Sequence, residues 1–105
     1  MKLLKAVIRP EREPEVIQAL EKEGVYAMTK LDVLGRGRQK GIQVGNVTYD
    51  ELAKLLLMIV VEDQDCDRAT QAIRKAAYTG HPGDGKVFVL PVEKALTLRT
   101  GESGL

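Results

Sequence analysis

The run Thr79-Gly80-His81-Pro82-Gly83-Asp84-Gly85-Lys86-Val87-Phe88-Val89 joins backbone freedom to positive charge, and the chemistry it suggests is anion binding. Its glycines let successive backbone N–H groups turn toward one point, the arrangement that cradles a phosphate, and Lys86 adds a full charge. A plainer reading is a Gly-Asp-Gly turn linking a helix to a strand. A second segment, Gly35-Arg36-Gly37-Arg38-Gln39-Lys40-Gly41, packs three cations and three glycines into seven residues. It has no apolar side chain to bury, so it is expected to project into solvent and to become ordered around a ligand or partner, unless it is only a solvated basic hairpin tip. Clustered Arg and Lys also suggest nucleic acid. A net charge of +1 and 4% aromatic residues supply neither the basic excess nor the stacking rings for that role.

The elements that must position these segments follow from periodicity. Lys2 to Arg9 reads as a strand. Pro14 to Glu23 reads as a helix with proline in its first turn, Gly24 as its stop, and Val16, Ile17 and Leu20 on its buried face. Ala27 to Leu34 is the second strand, Gly35 to about Asp50 a long loop, and Leu52 to Glu62 the third strand. A second helix over Asp65 to Tyr78 repeats Ala69, Ala72, Ile73, Ala76 and Ala77 on one face, with Asp63 or Asp65 available to cap its first amides. Lys86 to Pro91 is the fourth strand, and a short extended piece around Leu96 to Arg99 follows. The order βαββαβ predicts an α+β, ferredoxin-like fold, a four-stranded antiparallel sheet with two helices on one face.

The 105 residues, 44% of them hydrophobic, suit one domain with a modest core. The single cysteine, Cys66, excludes an internal disulfide and has no local base to make it a nucleophile. No signal peptide pattern and no apolar run long enough to span a bilayer are present, so direct membrane insertion is not expected and the cytoplasm is the expected location. The run Leu55 to Val61 is apolar on both sides of its strand, although helices can cover only one face. The other face calls for burial by association.

Taken in order, Lys2 to Pro10, Met28-Thr29, Gly37-Arg38-Gln39-Lys40-Gly41, Ile59-Val60-Val61, Thr79 to Val89 and Arg99-Thr100-Gly101-Glu102 resemble the PII signal-transduction family nearly end to end. The resemblance implies a single PII-like domain over 1–105, with a T-loop at about 35–50, a B-loop at about 79–86 and a C-terminal tail at about 92–105. It also implies a trimer in which open sheet faces pack together, and ATP or ADP bound in the clefts between subunits. Carried over by position, Gly35, Gly37, Arg38 and Gln39 form the T-loop base, Gly83, Asp84, Gly85 and Lys86 surround the phosphates, and Arg99 reaches phosphate from the neighbouring subunit. Val7, Thr29 and Val60 line the adenine pocket or serve simply as core residues. 2-Oxoglutarate is implied as a second ligand, chelating a Mg²⁺ held by the ATP phosphates and Gln39, with Lys40 and Gly41 nearby. Lys54 would pair with its distal carboxylate or be a solvated strand-start residue.

Departures from the family pattern carry information as well. The T-loop is about four residues shorter than in enteric-type members and lacks their tyrosine segment, which leaves Tyr49 to packing or a partner contact. Thr97 stands where the pattern has another arginine, and His81-Pro82 replaces a Lys-Ile type pair. The short loop with Arg36 beside Gly35 and an Ile42-Gln43-Val44-Gly45-Asn46 centre resembles the NifI-type subgroup encoded beside nitrogenase genes. That resemblance implies a non-catalytic regulator, a homotrimer or a mixed assembly with a second NifI-type subunit, that binds the dinitrogenase component. Arg36, Arg38, Lys40, Ile42, Val44 and Tyr49 would form the contact surface. The competing classes are an ammonium-transporter regulator, a slow nucleotide hydrolase and an RNA-binding module. A short loop disfavours the first, the lack of a convergent base the second and the missing sheet aromatics the third.

Overall fold

The structure, a computed structural model, describes residues 1–37, 42–44, 47–49 and 51–105, with backbone alone for 42–44 and 47–49. Strand β1 (Lys2–Ile8) turns through a 3₁₀ segment (Pro10–Arg12) into helix α1 (Glu13–Lys22), and β2 (Thr29–Gly35) follows. After the short strands β3 (Ile42–Val44) and β4 (Val47–Tyr49), the long strand β5 (Leu52–Val61) leads through a second 3₁₀ segment (Asp63–Asp65) to helix α2 (Cys66–Ala77) and edge strand β6 (Gly85–Pro91). The main sheet is antiparallel in the order β2-β5-β1-β6, which gives the expected ferredoxin-like βαββαβ arrangement.

Strict alternation divides the sheet into two faces. Leu4, Ala6 and Ile8 of β1 and Leu55, Leu57, Ile59 and Val61 of β5 are buried against Val16 and Leu20 of α1 and Ala69, Ile73 and Ala77 of α2. Ile17, expected on the buried face of α1, is only half-buried, as are Ala72 and Ala76 on α2. On the opposite face the register places Leu3, Val60 and Leu90 side by side, then Lys5, Met58 and Phe88, then Val7, Leu56 and Lys86. No helix among the described residues covers this face, and Phe88 and Leu31 remain 50% and 43% exposed.

Three local expectations are corrected. Neither Asp63 nor Asp65 caps α2. Asp63 instead accepts from the Met1 ammonium at 2.9 Å, and Asp65 accepts from Arg68 one turn on at 3.0 Å, so full charges take the carboxylates away from the helix amides. The extended piece near Leu96 is a single bridge to Ser103, after which 98–100 turn. Within the long loop, Ile42–Val44 and Val47–Tyr49 form an antiparallel ladder, matching Ile42 to Tyr49 and Val44 to Val47. The alternating Ile-Gln-Val and Val-Thr-Tyr triplets around Gly45-Asn46 are the pattern that favours such pairing.

Candidate functional site

The glycine-rich loop lies where β1 ends, β5 begins and β6 begins. Asp84 organises it. Its carboxylate accepts from the Thr79 N–H at 2.8 Å, the Gly80 N–H at 2.9 Å, the Thr79 hydroxyl and Arg9 Nε at 3.1 Å. These donors, led by the Thr79 hydroxyl and N–H, hold the Asp84 carboxyl far below the usual carboxylate range. Arg9 also donates from Nη2 to the Pro82 carbonyl at 2.9 Å, and Lys54 Nζ donates to the Gly83 carbonyl. Arg12 holds the approach to the loop, donating from Nε and Nη2 to the Ala76 carbonyl at 2.9 and 2.6 Å in the last turn of α2.

Two glycines mark how closely these parts meet. A Cβ on Gly83 would lie 3.3 Å from Arg9 Nη2 and 3.6 Å from Lys54 Nζ, so this point of the loop faces two cations at once. A Cβ on Gly85 would stand 1.8 Å from the Val7 carbonyl oxygen, and φ there is +113°. Only glycine lets β6 begin in register with Ile8.

Charge at this end of the sheet is unbalanced. Arg9, Lys54 and Lys86 stand near two carboxylates, Glu11, which acts on Lys54, and Asp84, which is already engaged within its own loop. Burial, and then the Arg9 guanidinium, push the Lys54 ammonium below the usual lysine range. An anion placed here would offset the repulsion between the two cations. Chemically the arrangement suits polyanion or carboxylate binding.

The fold gathers part of the sequence-predicted site. Val7 pairs with Lys86 across β1 and β6, Lys54 pairs with Val33, and the Lys54 stem lies against Gly35, whose Cβ would be 3.1 Å from Lys54 Cγ. Val7, Lys54, Gly83, Asp84, Gly85, Lys86 and Gly35 therefore share one region. Thr29, opposite Met58, and Val60, opposite Leu3, lie further along the open face. Arg99 lies in the tail turn, and the tail leaves the sheet at Pro91, opposite Lys2 and thus at the other end of β1. Gly37 and Arg36 are exposed. Arg38, Gln39, Lys40 and Gly41 lie outside the described residues, as do the side chains of Ile42, Val44 and Tyr49.

Arg9, Arg12 and Thr79 were not singled out from the sequence. Arg9 meets Asp84 across 75 residues, a pairing that no local spacing signals. Thr79 opens the glycine-rich run, and a hydroxyl five residues ahead of an Asp is the one legible hint.

The family model described as nitrogen regulatory protein P-II matches residues 1–102. The chain is 52% identical over 105 residues, all of both chains, to the nitrogen fixation nifHD1 region GlnB-like protein 1 of Methanosarcina barkeri. It is 51% identical, again over the whole of both chains, to the nitrogen fixation nifHD region GlnB-like protein 1 of Methanococcus maripaludis. Nitrogen regulatory protein P-II 2 of Methanothermobacter thermautotrophicus is 45% identical over 108 residues, spanning 99% of this chain and 94% of that one.

Proposed function

The chain belongs to the nitrogen regulatory protein P-II family, a family of regulators rather than catalysts, and from that premise we propose that it is an ATP- and 2-oxoglutarate-responsive sensor that acts on nitrogenase by direct binding. The observation that carries the reading is the convergence of Arg9, Lys54 and Lys86 on a glycine-rich loop whose only carboxylate is internally engaged. Such a site attracts a polyanion, and charge-assisted bonds contribute roughly 1.5–3 kcal/mol each.

In this reading ATP or ADP occupies a cleft between subunits. Gly83, Asp84, Gly85 and Lys86 surround the phosphates, Gly35, Gly37, Arg38 and Gln39 close over them, and Val7, Thr29 and Val60 flank the adenine. Arg99 arrives from a neighbouring subunit. Mg²⁺ bound to Gln39 and the ATP phosphates takes the keto acid, whose distal carboxylate meets Lys54, with Lys40 and Gly41 alongside. The open sheet face, lined by Leu56, Met58, Val60 and Phe88, supplies the surface for a trimer, either of this chain alone or mixed with a related subunit. Burying side chains of this size is worth roughly 1.5–3 kcal/mol each, so the face favours association.

The names of the relatives support nitrogenase as the target. Their names place them in nitrogen fixation regions, and the 35–50 segment, with Arg36, Arg38, Lys40, Ile42, Val44 and Tyr49, is the surface offered to the dinitrogenase component. The test is capture of that component by this protein with its sister subunit, at fixed ATP with and without 2-oxoglutarate. Capture that 2-oxoglutarate abolishes is the expected result. No capture in either condition overturns the nitrogenase target and redirects the search to an ammonium transporter or another enzyme of nitrogen metabolism.

A further inference from the structure

The open face of the main sheet carries cations and no acid. Asp32 is the single carboxylate within the four strands, and it pairs with the buried Leu55, which puts it on the side that the helices cover. On the open side the ionisable residues of the strands are Lys5, Lys54 and Lys86. Lys54 and Lys86 belong to the glycine-rich end, where Lys54 donates to the Gly83 carbonyl. Lys5 does not. It stands on an inner strand in the middle row of the face, between Met58 and Phe88, with Leu3 and Val7 before and after it on the same side. None of the ion pairs among the described residues includes it.

Association through this face buries the apolar neighbours and takes the Lys5 ammonium out of water with them. The matching face of a second copy can offer it only more lysines. A cation buried without a partner is unfavourable, and an inward-pointing charge is one way in which a sheet rejects pairing with itself. The same face stays attractive to a surface that keeps the apolar contacts and adds a carboxylate.

We propose that this face is built for a related, non-identical subunit that places a carboxylate against Lys5, and that Lys5 is the residue that favours such a mixed assembly over one of this chain alone. The inference rests on the association proposed above and adds the chemistry of the partner.

The test compares three forms of the chain by native mass spectrometry: wild type, Lys5→Met, which keeps the length and removes the charge, and isotope-labelled Lys5→Glu, which supplies the acid on an otherwise identical face. Lys5→Met should self-associate about tenfold more tightly than wild type. Lys5→Gln, neutral and polar, should also associate more tightly than wild type, which keeps the comparison open if the methionine variant folds poorly. An equimolar mixture of wild type and Lys5→Glu should give mixed oligomers well above the random proportion, and the excess should vanish when Lys5→Met replaces wild type. Wild type that self-associates as tightly as both neutral variants, with Lys5 served by an acid from elsewhere in a second copy, overturns the inference, as does random mixing with Lys5→Glu. If no form associates, alone or mixed, the open face is not an interface and the underlying reading falls with it.

Discussion

Replacing Gly85 by alanine tests whether the close approach of β6 to β1 fixes the glycine-rich loop. The added Cβ would lie 1.8 Å from the Val7 carbonyl oxygen and 3.3 Å from Ile8 Cα. Both are backbone atoms, so no rotamer change relieves the overlap, and the Ile8–Gly85 pairing must open. The backbone at φ +113° is itself strained for any residue with a Cβ. Strain of this kind costs about 1–3 kcal/mol and overpacking a similar amount, for a total of about 2–6 kcal/mol. At a fixed protein concentration, thermal unfolding should show the midpoint falling by more than about 10 °C. Two other glycines calibrate the effect. Gly24 has φ +78° with nothing within 4 Å of a built Cβ, so Gly24→Ala should cost only about 1–2 kcal/mol. Gly37 has neither constraint, and Gly37→Ala should stay within about 0.5 kcal/mol. A Gly85→Ala variant no less stable than Gly24→Ala would refute the steric reasoning. The displaced strand start should also weaken ATP binding under conditions where the variant is still folded, because Asp84 and Lys86 flank the altered residue.

Asp84→Asn removes the charge that gathers Thr79, Gly80 and Arg9. Because folding lowers the Asp84 pKa, its stabilisation is fully present above the unfolded carboxyl pKa, near 4, and is lost as pH falls through the folded value. The gap in urea midpoint between wild type and variant should be clear at pH 7 and shrink progressively below pH 4; a gap independent of pH would contradict the assignment. Lys54→Met should abolish the 2-oxoglutarate response and, because the ammonium also holds the Gly83 carbonyl, weaken binding of ATP alone by up to about tenfold, as read by calorimetry. In the wild type, 2-oxoglutarate affinity should fall as pH rises through the Lys54 pKa, which lies below the usual lysine value. Phe88→Lys, placed beside Lys5 on the open face, should reduce the assembly to smaller species by light scattering, and an unchanged mass would show that this face is not the interface.

The sequence's legibility followed the range of the interactions involved. The unbroken apolar run Leu55 to Val61 announced that both sides of β5 call for cover, because strand patterning is local. Helix α2 was legible within a residue at each end from its alanine and isoleucine repeat. The caps were misread because Asp63 and Asp65 are equally good partners for cations, and the cations that win, Met1 and Arg68, lie outside the capping pattern. Gly83, Gly85 and Lys86 were marked by composition. Arg9 was not, since an arginine before Pro10 looks like any strand-end cation until the fold brings Asp84 to it. Asp84, expected beside the phosphates, also draws the loop closed.

Lys54 explains how two effectors on this site would communicate. Its stem lies on Gly35, where β2 gives way to the 35–50 segment, and its ammonium reaches the Gly83 carbonyl of the glycine-rich loop. One side chain thus touches both the exit of the segment proposed to bind a partner and the turn proposed to bind phosphate. An ammonium has three donors, so it can keep the Gly83 carbonyl while pairing with a carboxylate. In the proposed reading the pair would restrain the turn that receives the phosphates, and phosphates there would restrain the ammonium that receives the carboxylate. Such coupling is reciprocal, typically about 5–150-fold in affinity. Because Gly35 lies under the same stem, whatever fixes Lys54 also constrains where the 35–50 segment leaves the sheet. On the proposed function, a metabolite signal would therefore reach the proposed protein-binding surface through one lysine, without any change in the core beneath it.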